Sequence, residues 1–351
     1  MKLDDPGLDS TVSQVRDAWL VDAVCEQIAF VRAKVPFWRE RLSNAAVDER
    51  CIESLADFAK VPIFTKEELR ATRPAALLPN DTRLELQTNR WTSGTSGQPT
   101  VNFWSETDWA ALVASTARML GRQAPKQAPT AFNAYSQAHV TGPLYNGALR
   151  RLGAVVYDRS HHPEELFSTL AQTELFDFDA LILPERTTRG KGFGLVNLLD
   201  EDPQFLARRG VLWWIGSSGT FGAETVERVR EQGVQVVSNL YGSSEFAVFA
   251  ISCPLIPGDY HVAQGHVLVE VVDQVGKPVE NGQFGRIVVT HLCGMDRNGQ
   301  ARTHGGTQIL RLAAGDCATF LSDACGCSLT TPRLRGVQRV GATRVGDSKT
   351  R

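Results

Sequence analysis

The 351 residues carry 37 Lys and Arg against 39 Asp and Glu, a formal net charge of −2, so no global basic field marks the chain for nucleic acid or anionic lipid. With 42% hydrophobic and 22% charged residues, the composition is that of an ordinary globular protein with room for a large core. Apolar runs such as 211–215 are far too short to span a membrane, and the acidic start "MKLDDPGLDS" lacks a signal-peptide pattern. The expected setting is cytoplasmic, with no membrane and no nucleic acid as partner.

In chain order, apolar spacing predicts helices from Ser10 to about Ala71, interrupted at Pro36. A capping box pairs Thr65 with Glu68 at the head of "FTKEELRA". A β-like segment from Leu84 to Trp91 and the strand-like "TVNFW" flank a loop rich in glycine and hydroxyls. From about 129 to 245, the apolar runs "TAFNAY", "GAVVYD", "DALILP", "VLWWIGSS" and "VQVVSNLYG" alternate with helical stretches such as "AETVERVREQG". That texture predicts an α/β fold with a mostly parallel sheet. Ligands of such sheets sit at the carboxyl ends of the strands, where "GSSGT" and "YGSSE" fall. After Phe246, short β runs with Gly and Asn turns predict an antiparallel unit, either a small barrel or a distorted sheet. The expected organisation is therefore 1–245 as α/β nucleotide- and acid-binding subdomains, 246–340 as a β-rich subdomain, and 341–351 as a hinge-like tail.

Three stretches carry chemistry. In "WTSGTSGQPT" (91–100) glycines let backbone N–H groups converge on an anion, and hydroxyls add donors without bulk. The order is not that of a Walker loop, and a flexible linker is the plain alternative. "NLYGSSEF" (239–246) ends an apolar strand in Glu245, a carboxylate suited to Mg²⁺ on a nucleotide. "ILRLAAGD" (309–316) puts Asp316 in a Gly turn, able to accept hydrogen bonds from ribose hydroxyls.

In this order the three motifs resemble the adenylate-forming superfamily of acyl and aryl ligases, and most of all its phenylacetate–coenzyme A ligase branch. "VPFWRERL", "LADFAKVPIFTKEELRA" and "FNAYSQAHVTGPLYNGALRRLGAVV" are similar to that branch, and the likeness runs from about residue 25 to about 347. The resemblance implies ATP-dependent activation of a carboxylic acid to an acyl-adenylate with release of pyrophosphate. The acyl group would then pass to a thiol (coenzyme A or a carrier protein) or to an amine. It further implies that Thr92, Ser93, Gly94, Thr95, Ser96 and Gly97 wrap the β and γ phosphates, and that Ser244 bonds the α-phosphate. Glu245 would hold Mg²⁺. Tyr241 would stack on adenine beside Gly242 and Ser243, with Ser217, Ser218 and Gly219 lining the base. Asp316 would take the ribose, and Arg311 would match the family's upstream arginine in the catalytic set with Glu245, Ser244 and Thr92.

The chain departs from the family at Gln98, where Lys is usual, at "GSSGT" in the adenine segment, and at Ala313 in place of a second arginine. The family also carries a C-terminal domain of about a hundred residues, an ordinary domain size. Arg351 falls near where it would begin, so the expectation is a large domain without the small one, or one supplied by a partner. Without that domain, thioester formation is expected to be poor and the acyl-adenylate to leak to water, an amine or a partner protein. The rival reading is a catalytically weakened nucleotide-binding or scaffold protein derived from such a ligase, which Gln98 and Ala313 favour; Glu245 and Asp316 favour the enzyme.

Seven cysteines are an odd count for a disulfide framework, and five of them fall between Cys253 and Cys327. Cys253, His261, Cys325 and Cys327 can form a tetrahedral site for structural Zn²⁺, and relatives in the branch carry a similar set. Cys317, His266 and Cys293 are reserve ligands, and small buried hydrophobes are the alternative. The acid should border Asn133, Tyr135, Ser136 and His139, with Gly242 closing the site. Tyr135 matches an aromatic of the aryl-acid ligases, and Ser136, Gln137 and His139 suggest a polar wall, hence an aryl acid or one substituted with hydroxyl, amino or carboxamide groups, although His139 could equally be a satisfied core residue.

Overall fold

The computed structural model describes residues 6–80, 88–91, 100–137, 139–158, 177–186, 193–217, 219–292 and 305–339. The expected helices open the chain as α1 (Ser13–Lys34) and α2 (Pro36–Asn44). Pro36 is the first residue of α2, a position where its missing N–H costs nothing. The capping box closes as the spacing requires. Thr65 Oγ1 accepts from Glu68 N at 3.1 Å and Glu68 Oε2 accepts from Thr65 N at 2.8 Å, starting α3 (Lys66–Ala71).

β1 (Thr88–Trp91) and β2 (Val101–Trp104) pair antiparallel. α4 (Glu106–Gly121) follows, capped by Ser105 and Asp108. Then β3 (Thr130–Asn133), α5 (Thr141–Arg151), β4 (Val155–Asp158) and β5 (Ala180–Ile182) lead to α6 (Leu195–Glu201) and α7 (Phe205–Arg208). β6 (Trp213–Ser217), α8 (Ala223–Glu231) and β7 (Val236–Ser243) complete the parallel part, in which β4, β3, β5, β6 and β7 are neighbours in that order.

Alternation along these strands divides two cores. Ala131, Ile182, Trp213 and Ile215 face α4 and α5, while Phe132, Leu181, Leu183 and Trp214 face α6 to α8. Both faces are covered, as a parallel sheet demands. Both indoles of β6 find an acceptor: Trp213 Nε1 donates to Ser238 Oγ at 2.8 Å and Trp214 Nε1 to Leu183 O at 2.9 Å.

β8 (Ala247–Ser252), β9 (Asp259–Val262), β10 (Val267–Val272), β11 (Phe284–His291), β12 (Leu312–Leu321) and β13 (Arg333–Arg339) are all antiparallel to their partners. Of the two forms the sequence left open, the described strands show the distorted sheet. β8 continues the ladder from β7, registers slip within β11–β12 and β12–β13, and β10 and β4 stand at the two edges. Helices α1 and α2 cover this half, with Ile28, Val31, Trp38 and Leu42 packed against Val271, Ile287, Val289 and Leu312.

Candidate nucleotide and metal sites

The turn between β7 and β8 brings the three motifs together. Glu245 sits in that turn, its side chain 1% exposed. Its Oε1 accepts from Thr100 Oγ1 at 3.3 Å and lies 3.4 Å from Lys66 Nζ, while Oε2 is buried without a partner among the described residues. Asn102 Nδ2 donates to Ser244 O at 3.0 Å, so the strand leaving the 92–99 loop is docked on the turn that carries the acid. Thr92, Ser93, Gly94, Thr95, Ser96, Gly97 and Gln98 themselves lie outside the described residues, as does Ser218.

Gly242 is required by close approach. A Cβ there would stand 1.9 Å from Ala247 O, and the register slips at this point so that the turn can fold back on its own strand. Ser243 Oγ, like Glu245 Oε2, is buried with no partner among the described residues. Two orphaned oxygens at one strand end point to a ligand that completes them. The donor set fits a hard divalent cation with its own water and phosphate oxygens, with Glu245 as the residue that would hold it.

Tyr241 links the second motif to the third. Its hydroxyl donates to Asp316 Oδ2 at 2.9 Å, and Asp316 Oδ1 lies 3.0 Å from the Arg339 guanidinium. Burial, reinforced by the Asp316 charge, raises the Tyr241 phenol well above its ordinary value, so it remains a donor. The ring stands edge-on to Phe249 at 5.2 Å. Nearby, Asn239 Nδ2 donates to Gly219 O and to Tyr260 Oη, each at 2.8 Å, which fixes the loop after β6 to β7. Ser217 is held from the other side, its N–H donating to Tyr135 Oη at 2.7 Å.

Two expectations need correction. Arg311 does not reach the site: its side chain is 1% exposed, and its guanidinium is bonded to Glu270 at 3.0 and 3.1 Å and to the carbonyls of Ala59, Val61 and Gly276. With its donors engaged, Arg311 ties the N-terminal segment to the antiparallel half. The polar wall at 133–139 is also largely satisfied within the protein. Asn133 donates to Gly142 O at 2.9 Å and Asn146 Oδ1 at 2.7 Å, and its own Oδ1 accepts from Tyr135 N. Gln137 bonds Tyr135 O and Asn146, and His139 Nδ1 meets Thr141 Oγ1 at 2.7 Å. Ser136 is exposed. Sequence reading missed Lys66, Thr100, Asn239 and Arg339. Only Thr100, adjoining the loop, carried a local signal.

The cysteine set converges as expected. One ligand atom each from Cys253, His261, Cys325 and Cys327 all lie within 4.8 Å of one another. Cys253 Sγ is 3.4 Å from Cys325 Sγ, and Cys327 Sγ is 3.2 Å from His261 Nε2. His261 Nδ1 faces Thr331 O at 3.2 Å, which turns Nε2 toward the thiols in the manner of an outer-shell partner. Burial lowers the imidazole to about 4, so it is neutral and its lone pair is available. Burial also pushes the Cys327 thiol up to about 12. Four soft donors with these separations fit tetrahedral Zn²⁺. The reserve ligands are not in this set, and Cys293 lies outside the described residues.

A buried acid at the strand end of a covered parallel sheet, with an antiparallel half behind it, is the architecture of the large domain of the adenylate-forming superfamily, which this chain resembles. Within it, the chain is similar to phenylacetate–coenzyme A ligases: 28% identical over 313 residues to that of Thermus thermophilus, covering 88% of this chain and 66% of the relative. The enzyme of Escherichia coli K12 is 28% identical over 276 residues, covering 74% and 59%. The chain thus spans about 60% to two thirds of the length of the curated relatives it matches. A solved structure of 2-hydroxyisobutyryl-CoA ligase with 2-HIB-AMP and CoA shares the fold at a TM-score of 0.81, with 19% identity over 96% of this chain and 78% of that one. The same ligase in its thioesterification state gives 0.79. No protein-family model matches the chain.

Proposed function

We propose that this chain binds ATP and a carboxylic acid and joins them as an acyl-adenylate, releasing pyrophosphate. The observation that carries the reading is the convergence of the loop's root, Glu245, Tyr241 and Asp316 on one strand end, with buried oxygens left for a ligand. In the reaction a carboxylate oxygen bonds to the α-phosphorus as the bond to the β-phosphate oxygen breaks, and pyrophosphate leaves with that electron pair. No proton need move. Catalysis is then a matter of in-line positioning and charge neutralisation. Asp316 and Tyr241 would hold the nucleoside end, and Asn239 and Ser217 would keep the base-lining loop in place. Mg²⁺, held by Glu245, would supply positive charge at the phosphates. The 92–97 loop would wrap the β and γ phosphates.

The relatives' names support an acyl-CoA product, so coenzyme A is the preferred acceptor. For the acid, the edge-on pair of Tyr135 and Tyr145, with centroids 5.3 Å apart, supports an aryl group rather than a polar-substituted one, because the neighbouring amides are already bonded. The cysteine cluster is read as a structural Zn²⁺ site, remote in role from the chemistry.

The test is acid-dependent pyrophosphate release over a panel of aryl and aliphatic acids, with mass spectrometry for the acyl-adenylate and the acyl-CoA. Release with an aryl acid, and a mass matching its adenylate, is the expected result. Absence of ATP binding at millimolar nucleotide would remove the proposal.

A further inference from the structure

The site holds two carboxylates that a triphosphate must approach, Glu245 and Asp316, with side chains 1% and 13% exposed. A polyanion entering beside buried acids needs cations already in place. Arg311, the arginine expected there, is engaged with Glu270. Arg339 pairs with Asp316 at the nucleoside end and is 57% exposed. At the Glu245 end the cation is Lys66, from a segment that the sequence marks only as the start of a helix.

Lys66 is held there by backbone and cap. Phe64 N donates to Arg311 O at 2.9 Å and Ala313 N donates to Phe64 O at 2.8 Å, so residue 64 runs as a short bridge along β12. The Thr65–Glu68 box then turns the chain into α3, with Lys66 as its first residue. The stem passes Gly315, which lies within β12 rather than in the turn expected from the sequence, with Cε and Cδ 3.9 and 4.0 Å from where a Cβ of Gly315 would lie. Nζ ends 3.4 Å from Glu245 Oε1, and the side chain is 21% exposed. An ammonium has three donors, and Glu245 is its one ionic partner among the described residues. Glu245 Oε2, on the same carboxylate, is orphaned. A half-made ion pair beside an unfilled acceptor is an arrangement poised for an anion with its metal.

We propose that Lys66 is a phosphate-contacting cation of this site, holding Glu245 before nucleotide arrives and donating to the α-phosphate and departing pyrophosphate oxygens once it does. This rests on the reading above that the site takes ATP. The lysine forms no covalent bond and transfers no proton. It offsets charge as the α-phosphorus exchanges its pyrophosphate oxygen for the carboxylate oxygen. Its contribution grows as the bridging bond breaks, because the electron pair is then localised on the leaving group.

The test compares wild type, Lys66→Met and Lys66→Arg by calorimetry with Mg²⁺ and the α,β-methylene analogue of ATP, and by ligand-detected NMR with adenosine. Lys66→Met is expected to bind the analogue about 10- to 100-fold more weakly, the range for loss of a charge-assisted hydrogen bond, while binding adenosine as wild type does. Lys66→Arg should recover most of the loss. Unchanged analogue binding in Lys66→Met overturns the assignment, and so does an equal loss for adenosine, which would mark Lys66 as a structural partner of Glu245 only. If wild type binds neither ligand, the ATP reading itself falls and this assignment with it. If Lys66→Met does not fold, Lys66→Arg matching wild type for the analogue supports the assignment, and a tenfold loss there with a cation still present overturns it.

Discussion

The Tyr241 hydroxyl donates to Asp316 across 75 residues of sequence, at 2.9 Å. The strand-end tyrosine and the β12 aspartate are therefore one unit, and its geometry depends on the phenol staying protonated, which burial ensures. Tyr241→Phe keeps the ring on Phe249 but frees the carboxylate. The expected result is a loss of about 1–3 kcal/mol of stability, the value of a hydrogen bond to a charged group, with weaker nucleoside binding, read by thermal melting and adenosine titration. Unchanged melting would mean that the bond contributes nothing net.

Glu245→Gln retains the shape and the Thr100 contact but removes the charge. Acid-dependent pyrophosphate release should fall at least 100-fold and should no longer respond to Mg²⁺, with the melting temperature held within a few degrees. Full activity would mean that the metal is bound elsewhere.

Gly242→Ala adds one methyl where the nearest carbonyl oxygen is 1.9 Å away. Backbone must shift, and Glu245, three residues on, moves with it. The expected outcome is loss of nucleotide binding out of proportion to a destabilisation of about 1–3 kcal/mol for overpacking. Calorimetry and urea unfolding on the same sample separate the two effects.

Zinc should copurify at about one ion per chain, measured by mass spectrometry of protein prepared without chelator. Cys325→Ser or chelation should lower the melting temperature by several degrees and should affect pyrophosphate release less, because the cluster ties together segments distant in sequence, Cys253 and His261 with Cys325 and Cys327. Zinc-free protein with the same melting temperature would remove the site.

Arg311→Met leaves Glu270 charged and buried with no partner, at an expected loss of about 3–5 kcal/mol. Burial already pushes the Glu270 carboxyl up against the pull of Arg311. The double variant Arg311→Met, Glu270→Leu should recover much of that loss, as paired removal of a buried ion pair does. Urea unfolding of the two singles and the double is the measurement. An activity defect in Arg311→Met without any stability loss would instead return Arg311 to the site.

Periodicity and local spacing by themselves determined a good deal. The covered parallel strands from Thr130 to Ser243 follow from apolar runs between helical stretches, and the Thr65–Glu68 and Ser105–Asp108 caps are local hydrogen-bond patterns. The motif order marked Glu245, Tyr241 and Asp316, and the cysteine clustering marked the Cys253, His261, Cys325 and Cys327 cluster. What only the tertiary structure decided are the pairings across long separations. Lys66 meets Glu245, Arg311 turns inward to Glu270, and Asn133 and Gln137 bond to their own neighbours instead of facing an acid. The physical reason is directional. Sequence spacing fixes which face of a strand or helix a residue occupies, but the partner it meets depends on how separate elements pack. A positive φ of 44° at Arg311 and a slipped register at Gly242 redirect side chains without any signal in the order of residues.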